Sequence, residues 1–168
     1  MNLILAKFTQ NDFLDYYRLV GDEKVMAMIT ERAIPLKEAQ TDFENELKKN
    51  EIHPDFGIFK ILNQENGVFV GLAKLEIQTS DSTEAELGYM LLPEYWGKGI
   101  AGKIAKELIT FAGQQKQLTR LFAIIDPKNL PSRKILTNNG FVHQEYKDFD
   151  GLDGEILALK LSGAYHTP

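Results

Sequence analysis

The chain has 168 residues, of which 43% are hydrophobic and 26% are charged, a balance typical of a folded soluble protein. Its 24 acidic and 19 basic residues give a net charge of −5, which argues against a broad nucleic-acid-binding surface and mildly favours a cationic substrate. The chain contains no cysteine, which excludes disulfides, cysteine metal ligands and a cysteine nucleophile.

The length and the even composition predict a single domain over residues 1–168. No apolar run reaches the roughly 18 residues that a membrane helix needs, and residues 1–5 lack the basic start and cleavage site of a leader peptide. We therefore expect a cytoplasmic protein without a membrane partner. The histidines are scattered without metal-ligand spacing, so no metal is expected. They are His53, His143 and His166.

The first third of the chain predicts one strand followed by helices. Alternating side chains from Leu3 to Phe8 indicate a strand that is partly covered on both faces. Thr9, with Asp12 three residues later, approximates a capping box and starts a helix that Gly21 ends. A longer helix is predicted over residues 36–49, with its Glu and Lys residues forming a solvated face.

The middle of the chain predicts an antiparallel meander of three strands, over residues 56–62, 68–78 and 84–92. Asn66-Gly67 is a turn signal between the first two strands. In the third strand, period-two alternation separates the two faces. One face carries Ala85, Leu87, Tyr89 and Leu91, and the other carries Glu84, Glu86, Gly88 and Met90. Gly88 is a candidate position for a bulge or a splay.

The last part of the chain predicts a helix over residues 100–115, a buried strand over 121–125 and a short helix over 132–137. The strand at 84–92, this first helix and the strand at 121–125 would make one parallel βαβ unit. A final hairpin is expected from residues 141–149 and 155–161.

A glycine-rich run joins the strand at 84–92 to the helix at 100–115. It reads Trp96-Gly97-Lys98-Gly99-Ile100-Ala101-Gly102-Lys103. Glycine lets the backbone come close to a ligand, and the free amides and positive dipole end of the new helix point at that ligand. The run therefore predicts a phosphate-binding site.

Two common phosphate-binding templates are disfavoured, one by the run itself and the other by the elements around it. The P-loop pattern G-x-x-x-x-G-K-[ST] fails at its last position, where Ile104 replaces the hydroxyl residue that binds Mg²⁺. The dinucleotide pattern G-x-G-x-x-G is matched in full, but residues 93–96 separate the strand from the glycines. A dinucleotide fold also needs two βαβ halves, whereas the sequence predicts one βαβ unit. The third template is an acyl-CoA loop, in which successive amides at a helix start hold a pyrophosphate.

Three motifs resemble the GNAT N-acetyltransferases. They are Glu86-Leu87-Gly88-Tyr89-Met90-Leu91-Leu92-Pro93-Glu94-Tyr95-Trp96-Gly97-Lys98-Gly99-Ile100-Ala101, Asn129-Leu130-Pro131-Ser132 and Asn139-Gly140-Phe141, in the order and spacing of the family. The resemblance is closest to the branch that includes ribosomal-protein N-terminal acetyltransferases. It implies an α/β GNAT (acyl-CoA N-acyltransferase) fold, with a mixed, mostly antiparallel sheet of about seven strands and helices on both faces. It also implies a splay between the two central parallel strands.

The resemblance places the pyrophosphate loop Q/R-x-x-G-x-G/A at residues 96–101, with Trp96 where the family usually has Gln or Arg. Backbone groups at residues 90–92 would hold the acyl carbonyl and the pantetheine arm, and such amides would serve as an oxyanion site. The expected acetyl-CoA contacts are Met90, Leu91, Leu92, Gly97, Lys98, Gly99, Ile100, Ala101, Gly102, Asn129 and Ser132.

The resemblance also implies an enzyme that moves the acetyl group from acetyl-CoA directly to a primary amine in a ternary complex. Glu86 is the candidate base, because it faces away from Leu87 on the strand that would carry the acetyl group. The other reading of Glu86 is a solvated carboxylate or the partner of a basic side chain.

The group that protonates the departing thiolate is not the usual one. In many relatives it is a tyrosine seven residues after the asparagine, and this chain has Leu136 there. Ser132 matches a serine of the ribosomal-protein branch that looks like the substitute for this tyrosine. Ser132 and Asn129 are also suited to capping a helix start. Tyr89 and Tyr95 are reserve candidates for the acid, or residues that pack around the cofactor arm.

The acceptor would be a small-molecule amine or a protein N-terminus, bound by a monomer or a homodimer. Its site is expected between residues 22–34, residues 79–83 and the final hairpin, with Glu31 and Asp150 as amine contacts. Two other readings stay open. One is a non-catalytic acyl-CoA-binding regulatory module, in which Glu86 and Ser132 are structural. The other is a dinucleotide-binding oxidoreductase.

Overall fold

A computed structural model describes residues 1–161 of the chain. Within them, seven strands form one sheet. The strands are β1 Leu3–Lys7, β2 Gly57–Asn63, β3 Phe69–Glu76, β4 Glu84–Leu91, β5 Arg120–Ile125, β6 Val142–Phe149 and β7 Leu152–Lys160. The helices are α1 Phe13–Val20, α2 Glu23–Met26, α3 Leu36–Asn50, α4 Ile100–Gly113 and α5 Leu130–Asn138. Across residues 1–161, none of the helices has the length and apolar character needed to cross a membrane.

The sheet order is β1-β2-β3-β4-β5-β7-β6, and every neighbouring pair is antiparallel except β4 and β5. The predicted mixed, mostly antiparallel sheet of about seven strands is confirmed. The sequence did not predict which strand of the last hairpin lies next to β5. It is β7, whose Leu157 and Ala158 are buried, whereas β6 is exposed along nearly its whole length and forms the edge. The apolar strand takes the covered position because burying the polar strand there would cost desolvation.

The parallel pair β4–β5 is short. It joins residues 84–86 of β4 to residues 120–122 of β5, and the pairing stops there. Beyond that point β4 stays paired with β3 as far as Leu91, and β5 stays paired with β7 as far as Ile125. The two strands therefore separate towards their carboxyl ends and leave a wedge. The predicted splay between the central parallel strands is confirmed, and it begins after Glu86.

Helices cover both faces of the sheet, as predicted. On one face α1, α2 and α3 pack on β2 and β3, and this cluster includes Leu19, Phe43 and Leu72. On the other face α4 and α5 pack against β4, β5 and β7, in a cluster that includes Ile104 and Leu121. The alternation of β4 serves both clusters: Leu87 and Leu91 belong to the second, and Met90 packs against the first.

The predicted start of the first helix is found with one difference. Thr9 and Asp12 form the capping box, with Thr9 N–H donating to Asp12 Oδ2 at 2.7 Å. The box caps a short 3₁₀ turn over residues 10–12, and α1 begins only at Phe13. As predicted, Gly21 follows the last residue of α1.

A buried carboxylate fastens α5 to the last hairpin. Glu155 on β7 is fully buried and accepts from Arg133 Nε and a terminal nitrogen of Arg133, at 3.0 and 3.2 Å. His143 Nδ1 on β6 lies 2.7 Å from the second Glu155 oxygen. Burial acts to raise the pKa of Glu155, but Arg133 and His143 outweigh it and hold that pKa below its usual range. The start of α5, with Asn129 and Ser132, is thus fixed against the sheet.

Candidate functional site

The glycine run forms a turn that faces open space. A 3₁₀ turn over residues 93–95 follows β4, and Gly97 and Gly99 then adopt left-handed backbone angles, with φ of +72° and +77°. A Cβ added at Gly97, Gly99 or Gly102 would meet no atom within 4 Å. Glycine is needed at Gly97 and Gly99 for the backbone angle, and the empty space in front of all three leaves room for a ligand.

The start of α4 is uncapped. Gly99 is its N-cap and has no side chain to accept a hydrogen bond, and the first helical bond runs from Lys103 N–H to Gly99 O at 3.2 Å. The amides of Ile100, Ala101 and Gly102 therefore have no partner within the helix. The first turn carries no acidic residue that would offset the helix dipole. Because both effects favour an anion, the expected phosphate contacts share one cradle.

Next to this cradle, an open groove of about 430 Å³ runs between α4 and α5. Its lining residues are Gly99, Gly102, Lys103, Lys106, Ile135, Asn138 and Asn139. Lys103 and Lys106 were not among the predicted contacts. Their spacing gave a signal, because each lies four residues after a glycine of the run and so on the same helix face. The predicted Lys98 lies beside this region, with its Nζ 5.7 Å from the centre of the Tyr95 ring.

Of the backbone amides predicted to contact acetyl-CoA on β4, some are already bonded within the sheet. Leu92 N–H donates to Val70 O at 3.0 Å, so its amide is already bonded across the sheet. Because bonding alternates along an antiparallel strand, Met90 also faces β3, whereas Leu91 faces the wedge. Trp96 Nε1 donates to Leu91 O at 2.9 Å. Of the three predicted residues, Leu91 is the one that presents its amide to the wedge.

Glu86 lies where the wedge begins, and it has a basic partner. Lys74 Nζ on β3 is 2.8 Å from Glu86 Oε2 and 3.8 Å from Glu76 Oε1. Burial acts to lower the pKa of Lys74, but the two carboxylates outweigh it and raise that pKa, which keeps the lysine cationic. Gly88 faces Lys74 across the strands and leaves its side chain room, since a Cβ there would lie 3.2 Å from Lys74 Cε.

A second carboxyl pair supports this ion pair and was not predicted. Glu76 on β3 and Glu46 on α3 are largely buried, with side chains 11% and 22% exposed. Burial, and next the hydrogen bond with Glu46, raise the pKa of Glu76 to about 8. Burial also acts to raise the pKa of Glu46, but the hydrogen bond from Glu76 and the nearby Lys49 and Lys74 leave it lowered. At neutral pH Glu76 therefore holds a proton that it donates to Glu46.

The position of Glu46 corrects the expectation that the Glu and Lys residues of α3 form a solvated face. The helix packs this part of its surface onto the sheet, so that Glu46 meets Glu76 instead of water. The strand register explains part of this arrangement, because Glu76 lies directly opposite Glu86 across β3 and β4. Two carboxylates facing each other across strands need a cation or a shared proton between them.

At the start of α5, the capping expected of Asn129 is found. Asn129 is the N-cap, and its Oδ1 accepts from Ser132 N–H at 3.3 Å. The Ser132 side chain lies beside the Tyr89 hydroxyl of β4 and acts to lower its pKa, although burial leaves that pKa raised overall. Leu136 is 1% exposed and belongs to the hydrophobic core.

The predicted acceptor region is not brought together in full. Residues 79–83 lie at the opposite end of β4 from the wedge, because this loop directly precedes the paired residues 84–86. Gln117 Nε2 holds the loop by donating to Ser80 O and Ser82 O at 3.1 and 3.0 Å. Glu31 and Asp150 are both exposed and have left-handed backbone angles, with φ of 62° and 53°.

Among residues 1–161, no group of three or more His, Cys, Asp or Glu side chains has an arrangement that could hold a metal ion. His166, one of the scattered histidines, lies outside the described residues.

The wedge, the uncapped helix start and the carboxylate at the apex of the wedge are the features that the sequence motifs led us to expect. The chain belongs to the GNAT acetyltransferase family, since the family model described as "Acetyltransferase (GNAT) domain" matches residues 2–142. One relative is the uncharacterized N-acetyltransferase p20 of Bacillus licheniformis. It is 28% identical over 100 residues, which are 59% of this chain and 56% of p20. The match thus spans just over half the length of that relative.

Solved structures share the fold. The spermidine N-acetyltransferase from Vibrio cholerae, in complex with CoA and spermine, has a TM-score of 0.78 at 16% identity, with 95% of each chain covered. RimL, a ribosomal L7/L12 alpha-N-protein acetyltransferase in complex with coenzyme A, has a TM-score of 0.76 at 15% identity and covers 95% of this chain and 94% of its own. The predicted family and fold are confirmed, and the acyl-CoA template is the one that fits the glycine run.

The shared proton between Glu76 and Glu46 makes stability depend on pH. Because the pKa of Glu76 is raised to about 8, the folded protein keeps a proton that the unfolded chain releases above its ordinary pKa of 4.5. The contribution of Glu76 to the free energy of unfolding therefore falls as the pH rises from about 4.5 to 8. The decrease is at most about 1.4 kcal/mol per pH unit. Glu76→Gln keeps a donor for Glu46 without the titration. We expect this variant to gain stability relative to wild type between pH 5 and 8.

Urea unfolding at several pH values measures this difference. Glu44→Gln, which removes an exposed carboxylate from the same helix as Glu46, is the control. A free-energy difference between Glu76→Gln and wild type that is the same at pH 5 and pH 8 would contradict the shared proton.

Proposed function

We propose that the protein is an acetyl-CoA-dependent N-acetyltransferase that moves the acetyl group directly to a primary amine in a ternary complex. The observation that carries the proposal is the uncapped start of α4, which opens beside the wedge between β4 and β5. A phosphate cradle next to a gap between strands suits a ligand with a pyrophosphate at one end and an extended arm that pairs with a strand. Acetyl-CoA has that form.

In this proposal the pyrophosphate binds the amides of the glycine turn and the first turn of α4. The contributing residues are Gly97, Lys98, Gly99, Ile100, Ala101 and Gly102. Lys103 and Lys106 bring positive charge to the adjoining groove, where it would attract the phosphates of the ligand. The pantetheine arm runs back along β4 and bonds to the Leu91 amide, with Asn129 on the other side of the wedge.

The reaction needs a neutral amine and a polarised thioester. Glu86 accepts a proton from the amine, directly or through one water molecule, and the amine nitrogen then attacks the acetyl carbonyl. Another backbone amide of β4 that faces the wedge stabilises the oxyanion that forms. Lys74 holds the Glu86 carboxylate at the start of the wedge through their 2.8 Å ion pair. Because the chain has no cysteine, a cysteine-bound acetyl intermediate is excluded and direct transfer is the simplest course.

The net charge of the protein indicates the chemical class of the acceptor. A protein with a net charge of −5 favours a cationic amine, and exposed carboxylates such as Glu31 and Asp150 are suitable contacts for it. The Vibrio cholerae structure contains spermine, and RimL is named for a ribosomal protein N-terminus. Both a small-molecule amine and a protein N-terminus are therefore acceptors to test for this chain.

A second candidate function is a non-catalytic acyl-CoA-binding module. Two contacts favour it: Glu86 already has Lys74 as an ion-pair partner, and Asn129 already caps α5. In that case both residues would be structural, and the cradle would bind the ligand without turnover.

Ligand binding at the cradle is tested by a pair of matched glycine variants. Gly97 and Gly67 have nearly the same φ, 72° and 71°, and both face open space, so alanine introduces similar backbone strain at each. Only Gly97→Ala adds a methyl group to the cradle. We expect acetyl-CoA at a hundredfold excess over its Kd to stabilise wild type and Gly67→Ala by about 2.7 kcal/mol. Gly97→Ala should bind about tenfold more weakly, which corresponds to about 1.4 kcal/mol.

Differential scanning fluorimetry with acetyl-CoA and, separately, NAD measures these shifts. If NAD raises the melting temperature and acetyl-CoA does not, the acyl-CoA reading of the cradle is wrong.

Catalysis is tested by Glu86→Gln and Ser132→Ala with an amine found by screening peptides, polyamines, amino acids and aminoglycosides. We expect Glu86→Gln to lower kcat on the order of 100-fold, since a positioned base commonly contributes that much. The stabilisation by acetyl-CoA should be unchanged. Glu84→Gln is the matched control, because it removes an exposed carboxylate two residues earlier on the same strand face.

Steady-state kinetics and the acetyl-CoA melting shift are measured on the same preparations. If both Glu86→Gln and Ser132→Ala turn over like wild type while acetyl-CoA still binds, neither Glu86 as the base nor Ser132 as the group that protonates the thiolate is correct. If wild type binds acetyl-CoA and acetylates no amine in the screen, the non-catalytic module is favoured.

A further inference from the structure

Tyr89 carries a buried hydroxyl group that no contact in the fold explains. The oxygen is inaccessible to solvent, and within residues 1–161 it has no hydrogen bond of ordinary length and angle, although the Ser132 side chain lies close enough to lower its pKa. A buried polar group without a partner costs about 1–3 kcal/mol, so such groups are uncommon in folded proteins. Because the phenol lies on a strand that borders the wedge, a ligand in the wedge can supply the missing partner.

The position of Tyr89 on β4 is suited to contact with a bound thioester. It lies three residues beyond Glu86, the last residue of β4 that pairs with β5. Its side chain packs with the cluster that includes Leu87 and Leu91, on the face covered by α4 and α5. Glu86 points to the opposite face, where it meets Lys74. The strand therefore presents a carboxylate and a phenol on opposite faces at the start of the wedge.

The surroundings of the phenol favour its protonated form. Burial raises the pKa of Tyr89, and the neighbouring Ser132 side chain lowers it only in part, so the hydroxyl keeps its proton at neutral pH. Ser132 lies at the start of α5, which the Arg133–Glu155 pair fixes against β7. The two hydroxyl groups thus meet between two elements that are held in place.

We propose that the Tyr89 phenol, with Ser132 beside it, donates the proton that the CoA sulfur needs when it leaves. This inference rests on the proposed acetyl transfer. The amine nitrogen forms a bond to the acetyl carbon, the carbon–sulfur bond breaks, and its electron pair stays on sulfur. The sulfur takes the phenolic proton and leaves as the thiol. The phenolate regains a proton through solvent, which balances the proton that Glu86 removed from the amine.

The kinetic test removes the hydroxyl group alone. We expect Tyr89→Phe to lower kcat on the order of 100-fold, with the KM for acetyl-CoA changed only a few-fold, since general acid catalysis commonly contributes that much. Because Tyr89 and Ser132 serve the same proton, Tyr89→Phe combined with Ser132→Ala should lose little more than the worse single variant. Tyr17→Phe, a hydroxyl deletion on α1 on the other face of the sheet, is the control.

A binding measurement separates this inference from the proposed function, because it needs no amine. In the complex with CoA, the thiol is titrated by the ultraviolet absorbance of its thiolate. Hydrogen bonds from Tyr89 and Ser132 stabilise the thiolate, so we expect the thiol pKa to be lower in wild type than in Tyr89→Phe. The melting shift that CoA produces should be the same in both proteins.

The outcomes are distinct. A lowered thiol pKa that returns towards the value of free CoA in Tyr89→Phe supports the inference, even if no acceptor amine has been found. A Tyr89→Phe variant with wild-type kcat and wild-type thiol pKa overturns it while leaving the acetyltransferase proposal in place. A loss of kcat that is matched by loss of CoA binding would also overturn it, because the hydroxyl would then serve binding alone. Absence of CoA binding in wild type would overturn both proposals.

Discussion

The separation of β4 from β5 after three paired residues is the constraint on which the site depends. Each strand is held on its other side, β4 by β3 and β5 by β7, so the sheet stays intact although its centre opens. Backbone groups that would be bonded in a continuous sheet are therefore exposed along the wedge. The glycine turn follows directly from the end of β4 and brings the free amides of α4 to the mouth of the same opening. One interruption of the strand pairing thus creates both a surface for an extended arm and a cradle for a phosphate.

Buried charge borders this opening on both faces of the sheet. On the face covered by α1 to α3, Lys74 lies between Glu86 and Glu76, and Glu46 shares the proton of Glu76. On the other face, Glu155 is fully buried between Arg133 and His143. Such groups are costly to bury, and the cost is offset only where every charge has a partner at short distance. Because these networks link separate elements, they fix the positions of the side chains that border the wedge.

Much of this arrangement could be predicted from local patterns in the sequence. The alternation along β4, the glycines before α4 and the cap residues of α5 each depend on neighbours a few positions away, and the structure has them as expected. Contacts between distant segments could not be read in this way. Glu46 and Glu76 are 30 residues apart in sequence, and the helical pattern of α3 alone gives Glu46 the character of a solvated residue. The position of the loop over residues 79–83, at the end of β4 away from the wedge, could not be read for the same reason, because it is set by strand register.

Tyr89 shows most clearly which properties local sequence patterns do not predict. Its place in the Glu-Leu-Gly-Tyr motif fixes the face of β4 on which it lies, but the sequence cannot show that its hydroxyl has no partner in the described chain. That property depends on α5, which carries Ser132 to the phenol from more than 40 residues away. Buried groups whose bonding needs are unmet become visible only when all the surrounding elements are in place.

The central proposal is that the wedge and the glycine turn bind one acetyl-CoA molecule together. Amide hydrogen exchange measured by NMR on the full chain, with and without acetyl-CoA, tests this claim residue by residue. We expect slower exchange at Leu91 and at Ile100 to Gly102, with little change at Leu92, whose amide is already bonded to Val70. Exchange that stays unchanged at Leu91 and at the start of α4 under saturating acetyl-CoA would contradict it.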